Sequence, residues 1–252
     1  MLRNRARIRG AVLRVIDRSL ARKATAEAIG SAFLVAIVVG SGIYAQRLSP
    51  HDVGLQLLEN STATGAGLVA LILAFGPVSG AHFNPVVTLA DRLLGGISAA
   101  AAAVYVVAQI VGACAGAIVA NLMFDLDAVN LSTHTRSSGG LWIGEFVATI
   151  GLLLVIFGIV RSGRSAVAPF AVGGYIAAAY WFTSSTSFAN PAVTIARMLS
   201  NTFAGIRPSS VPAFVAVQIV AALCAVLLVK FLHPGIGGDD IVVPHEQSKV
   251  VP

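Results

Sequence analysis

Charge is scarce in this chain of 252 residues: only 11% is Asp, Glu, Lys or Arg, against 56% hydrophobic residues. So little charge excludes an ordinary soluble domain and fits a polytopic helical membrane protein, as does a mean hydropathy of +0.84. Cysteine is nearly missing. Cys114 and Cys224 both lie inside apolar runs, which argues against a disulfide framework, and neither has the neighbours that a metal site needs. No nucleophile–base pair stands out either, so neither an enzyme nor a cofactor is expected. The first residues are arginine-rich rather than a short apolar stretch, so no cleavable signal peptide is expected. With so little polar protein available, a nucleic-acid role is not expected.

The charge that is present is unevenly placed. Arg3, Arg5, Arg7, Arg9, Arg14, Arg18, Arg22 and Lys23 crowd residues 1–24, which assigns the N-terminus to the cytoplasm. Ile8, Val12, Ile16 and Leu20 recur every four residues among them. That stripe suits a helix lying on an anionic membrane surface; a basic tail that only sets topology is the alternative.

Six apolar segments are long enough to cross a bilayer of roughly 30 Å: residues 25–47, 57–79, 99–124, 141–161, 166–187 and 210–232. The links near 48–56 and 125–140 carry Pro50, His51, Asp52, Asp125, Asp127, His134 and Arg136 and read as outside loops, whereas Arg161 and Arg164 mark a short inside loop. Six spans return the C-terminus to the cytoplasm, with residues 233–252 as a disordered tail. The halves 25–124 and 141–232 repeat one another: Glu27 is answered by Glu145, Asn84 by Asn190 and Gln109 by Gln218, in the same order. Three spans per half is an odd number, so the second half is inverted across the membrane, the plan of many transport proteins.

Two short motifs carry the chemistry: Asn84-Pro85-Val86-Val87-Thr88 and Asn190-Pro191-Ala192-Val193-Thr194. Asn caps orphan N–H groups, and Pro suits the first helical position. A helix starting inside an apolar segment requires irregular backbone, which lipid forbids unless it is buried or lines a watery cavity. Inversion brings the two half-helices in from opposite faces, their N-termini meeting near the midplane. Each N-terminus carries roughly half a positive charge, which repels cations and protons. The side-chain oxygens cap, leaving the asparagine amide N–H groups to face the lumen.

Over residues 25–232 the chain resembles the major intrinsic proteins, the aquaporins and aquaglyceroporins. Ser79-Gly80-Ala81-His82-Phe83-Asn84-Pro85-Val86 follows the family's first signature, with Val86 for the usual Ala, and Asn190-Pro191-Ala192 its second. The resemblance implies an all-α integral membrane fold: six transmembrane helices plus two re-entrant half-helices in an inverted repeat. It also implies one pore per protomer, a homotetramer, and a multi-pass location in the inner or plasma membrane. The family continues its second motif with Arg, which lines the outer filter; this chain has Val193 there. Carried over by spacing, the other filter positions are Thr64, Ala178 and Ser187. All four are small and none is charged or aromatic, so a wider, less polar filter is expected.

The stretch from Ala179-Tyr180-Trp181 to Val193 resembles a bacterial subgroup of aquaporins associated with arsenic resistance, in which the filter Arg is likewise Val. That resemblance implies passage of arsenous acid and related arsenicals. Glycerol, of similar size, is not distinguished from them, and water is expected to pass too. A proton- or ion-coupled transporter and a water-selective aquaporin are the alternatives. Glu27 and Glu145 are costly in a membrane; they either accept hydrogen bonds from the non-helical backbone beside each half-helix or couple protons. His82 is either a hydrogen-bonded loop residue or a pH sensor. Arg197, seven residues past Asn190, and Arg207 either mark the outer edge or replace the missing filter arginine. Gly112 and Gly116, and Gly144, Gly151 and Gly158, form small-residue faces for close helix approach.

Overall fold

The computed structural model describes the backbone of residues 2–234 and the side chains of residues 19–234. Side chains up to residue 18 of the expected surface helix, and residues 235–252 of the expected tail, lie outside the described residues. The helices are α1 (Leu2–Leu48), α2 (Val53–Ser79), α3 (Pro85–Leu94), α4 (Ala99–Met123), α5 (Gly139–Arg161), α6 (Ala168–Phe182), α7 (Pro191–Arg197) and α8 (Val211–Leu232). Six contain apolar stretches long enough to span a membrane, and α1 runs on through residue 25 without a break. The other two, α3 and α7, have 10 and 7 residues. At 1.5 Å per residue neither reaches past about half of a bilayer.

Local chemistry sets the ends. The Asp52 side chain accepts the Leu55 N–H at 2.8 Å, starting α2 at Val53 rather than 57. Gly80, with φ 88°, ends α2 in the left-handed region and turns the chain back into the bundle. The fifth span, expected to reach 187, stops at Phe182. Thr183 is extended, and its Oγ1 donates to the Ala179 carbonyl at 2.7 Å, so the chain leaves the helix there. Residues 183–190 then turn back into the bundle, where Ala189 meets Glu145 and Asn84.

The halves pack as the repeat implies: α1 lies on α4, α5 on α8, and α2 on α6 across the junction. Glycines allow these approaches. A Cβ at Gly112 or Gly116 would come within 2.0 or 2.1 Å of the Ala28 or Ala32 carbonyl oxygen of α1. Gly65 of α2 and Gly173 of α6 face each other in the same way, their added Cβ atoms 2.9 and 2.6 Å from the opposite carbonyl oxygen. Gly144 abuts Ser184 and Ser185, and Gly151 abuts Tyr175. Gly158, expected on the same face, has nothing within 4 Å. Large apolar side chains such as Phe33, Val107, Ile143 and Phe231 are exposed around the bundle, where lipid would cover them.

Candidate functional site

Each half-helix starts as the motif dictates. Asn84 Oδ1 accepts the Val86 N–H at 3.0 Å; Asn190 Oδ1 accepts those of Ala192 at 3.0 Å and Val193 at 3.3 Å. Pro85 and Pro191 occupy the first helical positions. The Asn amides also cross between halves: Asn84 Nδ2 donates to the Ala189 carbonyl and Asn190 Nδ2 to the Phe83 carbonyl, both at 2.8 Å. The expectation that the amide N–H groups all face the lumen is therefore corrected. One N–H of each –NH2 staples the halves together, and one remains.

The link into each half-helix is bent. Ala81 and Phe83 in the first, and Thr186, Ser187 and Ala189 in the second, have φ between 45° and 62°. Such conformations cost about 1–3 kcal/mol each in non-glycine residues and persist where the surroundings over-determine them. A buried glutamate does so in each half. Glu27 Oε1 accepts the His82 N–H at 3.0 Å and the Ser79 hydroxyl at 2.6 Å, and its Oε2 accepts the Phe83 N–H and Gln109 Nε2, both at 2.7 Å. Glu145 repeats the pattern on the Phe188 and Ala189 N–H groups and Gln218 Nε2, at 2.8, 2.9 and 2.6 Å. Gln109 and Gln218 in turn donate to Thr88 and Thr194, four residues past each Asn, both at 2.9 Å. Both glutamates are 0% exposed, and neither lines the cavity.

That cavity, of about 490 Å³, runs from Ser165 and Pro169, past Asn84 and Asn190, to Thr64, Tyr180 and Arg197. His82 lines it, its Nδ1 3.0 Å from Thr88 Oγ1 and its Nε2 3.7 Å from Asp91. Thr64, Ser187 and Val193 line it too. Ala178 does not. It is exposed, whereas Val172, Ile176 and Tyr180 form the lining stripe of α6. At 100° per residue Ala178 points almost oppositely to both Ile176 and Tyr180. Tyr180 holds the place instead, its hydroxyl 3.3 Å from Thr64 Oγ1, while Trp181 Nε1 donates to Ser61 Oγ at 3.1 Å. Counting twelve residues back from Asn190 gives a residue of α6 that faces away from the cavity. The four-residue stripe Val172–Ile176–Tyr180 was the signal that could have found Tyr180. An aromatic therefore lines the outer end after all.

A charge does as well. Arg197, 2% exposed, sits 3.4 Å over the Phe188 ring, its Nε donating to the Ala204 carbonyl. Arg136 also stacks on Phe188, at 5.0 Å, but its guanidinium is committed to the backbone: Nε donates to Gly205 O at 2.9 Å, with longer bonds to Ser185 O and Phe203 O. The sequence marked Arg136 only as a loop residue. Its role depends on the link 124–138 folding over α7, through Asn130 N–H to Leu199 O and Ser132 N–H to Met198 O. Arg207 donates its N–H to His134 O at 2.7 Å and does not line the cavity.

Comparison with known proteins follows the same lines. The family model described as major intrinsic protein matches residues 15–189, so the second Asn-Pro motif lies beyond the match. The chain is 50% identical over 213 residues to aquaglyceroporin AqpS of Rhizobium meliloti (strain 1021), covering 84% of this chain and 91% of that one. Aquaporin-5 of Rattus norvegicus is 38% identical over 114 residues, 43% of each chain. The X-ray structure of the aquaglyceroporin from Plasmodium falciparum superposes with a TM-score of 0.66 at 20% identity, covering 86% of this chain and 96% of that one; it shares the fold.

Proposed function

This chain belongs to the major intrinsic protein family, a multi-pass membrane channel for small neutral solutes, and on that premise we propose that its outer filter is wide enough for glycerol-sized molecules. The observation that carries the reading is Val193, a short apolar side chain on the cavity wall three residues past Asn190. Thr64, Ser187 and Tyr180 complete that end, three hydroxyl groups beside one apolar wall. A neutral polyol finds donors and acceptors there, and Asn84 and Asn190 offer one remaining amide N–H each at the midplane. Arsenous acid presents the same outline of hydroxyls as glycerol, so arsenicals join the polyols and water as proposed solutes. The relative named aquaglyceroporin AqpS supports the polyol arm.

The half-helix N-termini at Asn84 and Asn190 disfavour cations at the midplane. Proton-coupled transport would need a titratable group in the path; Glu27 and Glu145 lie off it, occupied by backbone and glutamine N–H groups, and His82, which lines it, has its Nδ1 engaged by Thr88 Oγ1 at 3.0 Å. The protomer is proposed to assemble as a homotetramer in the cell membrane with both termini cytoplasmic. The test is stopped-flow uptake by proteoliposomes carrying the wild-type chain or Val193→Arg. The arginine is expected to reduce glycerol and arsenite uptake roughly tenfold, with water flux falling much less. Equal loss of all three solutes, or none, would overturn the filter assignment.

A further inference from the structure

The position where a filter arginine would stand is Val193, yet an arginine lies one helical turn further along the same face of α7. Arg197 follows Val193 by four residues, and both line the cavity. Four residues rise about 6 Å along the axis, so the Arg197 backbone lies further toward the outer mouth than that of Val193, while its guanidinium lies back over the Phe188 ring. It is a built position. The Phe188 ring lies 3.4 Å beneath the guanidinium carbon, Ala204 O holds Nε, and only 2% of the residue is exposed. Its terminal nitrogens have no protein acceptor among the described residues. Arg136 fixes the floor beneath: it binds the Gly205, Phe203 and Ser185 carbonyls and stacks on the same ring.

The electrostatics give the position a purpose. Arg197 is the last residue of α7, whose seven residues point their C-terminal, partly negative end at the outer mouth. Without a cation there, that end would draw cations inward. In the first half the equivalent position is Asp91, which is buried but does not line the cavity. We propose that Arg197 is the specificity-determining charge of the outer mouth, excluding cations there while the short Val193 side chain leaves the pathway wide. This rests on the channel reading above and adds to it a separation of charge selection from size selection.

The test uses two variants of the full chain in liposomes, Arg197→Gln and Arg197→Cys, read by potassium leak, proton leak and glycerol uptake. Each is expected to raise both leaks roughly tenfold while glycerol uptake stays within about twofold of wild type. In Arg197→Cys, a methanethiosulfonate carrying an ethylammonium group is expected to restore the barrier and methyl methanethiosulfonate to leave the leak. Wild-type protein treated with both reagents controls for Cys114 and Cys224. Leaks at the wild-type level with glycerol uptake retained would overturn the proposal, as would equal suppression by both reagents, which would mean bulk rather than charge. Wild-type vesicles that take up no glycerol would instead overturn the channel reading. The two variants differ in bulk and polarity, so misfolding of one leaves the other to decide.

Discussion

Val193 reaches the outer end of the cavity from α7 and Tyr180 reaches it from α6, with the Tyr180 hydroxyl tied to Thr64 of α2. Removing that ring in Tyr180→Ala is expected to raise uptake of glycerol and larger polyols severalfold, in proportion to solute size. Ala178→Phe is expected to change nothing, because Ala178 is exposed off the lumen; a narrowed solute profile in stopped-flow assays of Ala178→Phe would reverse the two assignments. Deeper in, Glu145→Ala leaves the Phe188 and Ala189 N–H groups and the Gln218 amide without their acceptor. At about 1–3 kcal/mol for each buried group left unmatched, thermal unfolding in detergent is expected at a clearly lower midpoint. An unchanged midpoint would show that the bent link 183–190 holds its shape without the carboxylate. The sequence left Glu27 and Glu145 open between accepting hydrogen bonds and coupling protons; as a matched pair in an inverted repeat, each accepts N–H groups from the backbone link of its own half. The staple between Asn84 and Ala189, and between Asn190 and Phe83, was not legible. It joins residues more than a hundred positions apart and leaves no periodic trace.

At the scale of elements, the half-helices and the helix crossings respond differently to sequence. The starts of α3 and α7 were readable because capping and proline placement are local, and both begin at the proline as expected. The end of α6 was readable but overrun: Thr183 to Ser187 is an unbroken run of Ser and Thr, the composition of a loop, and the backbone turns extended at Thr183. The crossings follow glycine. Gly116→Leu would drive a side chain into the Ala32 carbonyl of α1, and overpacking of this kind costs about 1–3 kcal/mol. Gly158→Leu meets only open space. Thermal unfolding and the yield of folded protein are expected to fall for Gly116→Leu and to hold for Gly158→Leu. Equal loss would mean that Gly158 faces a partner protomer rather than lipid. The glycine heptad 144–151–158 thus overreached at its third member, since spacing reports a face but not how far along it a neighbour extends.

For the whole molecule, the inverted repeat explains why one chain builds a symmetrical framework around an asymmetrical path. The two Glu–Gln–Thr sets are nearly superimposable in their partners, and both lie off the cavity. The cavity's outer end carries Tyr180, Val193 and Arg197, and among the described residues no other arginine or tyrosine lines the cavity. Fold class and the number of spans were legible because charge scarcity and apolar run length are global properties. The makeup of the outer end was only half legible, because Arg136 and Arg197 take their places through the link 124–138 and the Phe188 ring rather than through spacing. The central claim is passive passage of neutral solutes. Its most direct measurement is light-scattering uptake of glycerol by proteoliposomes of the purified wild-type chain, with and without a proton gradient collapsed by an uncoupler. Glycerol uptake well above that of empty vesicles and identical in the two conditions is the expected result. Uptake that appears only with the gradient, or none at all, would contradict the claim.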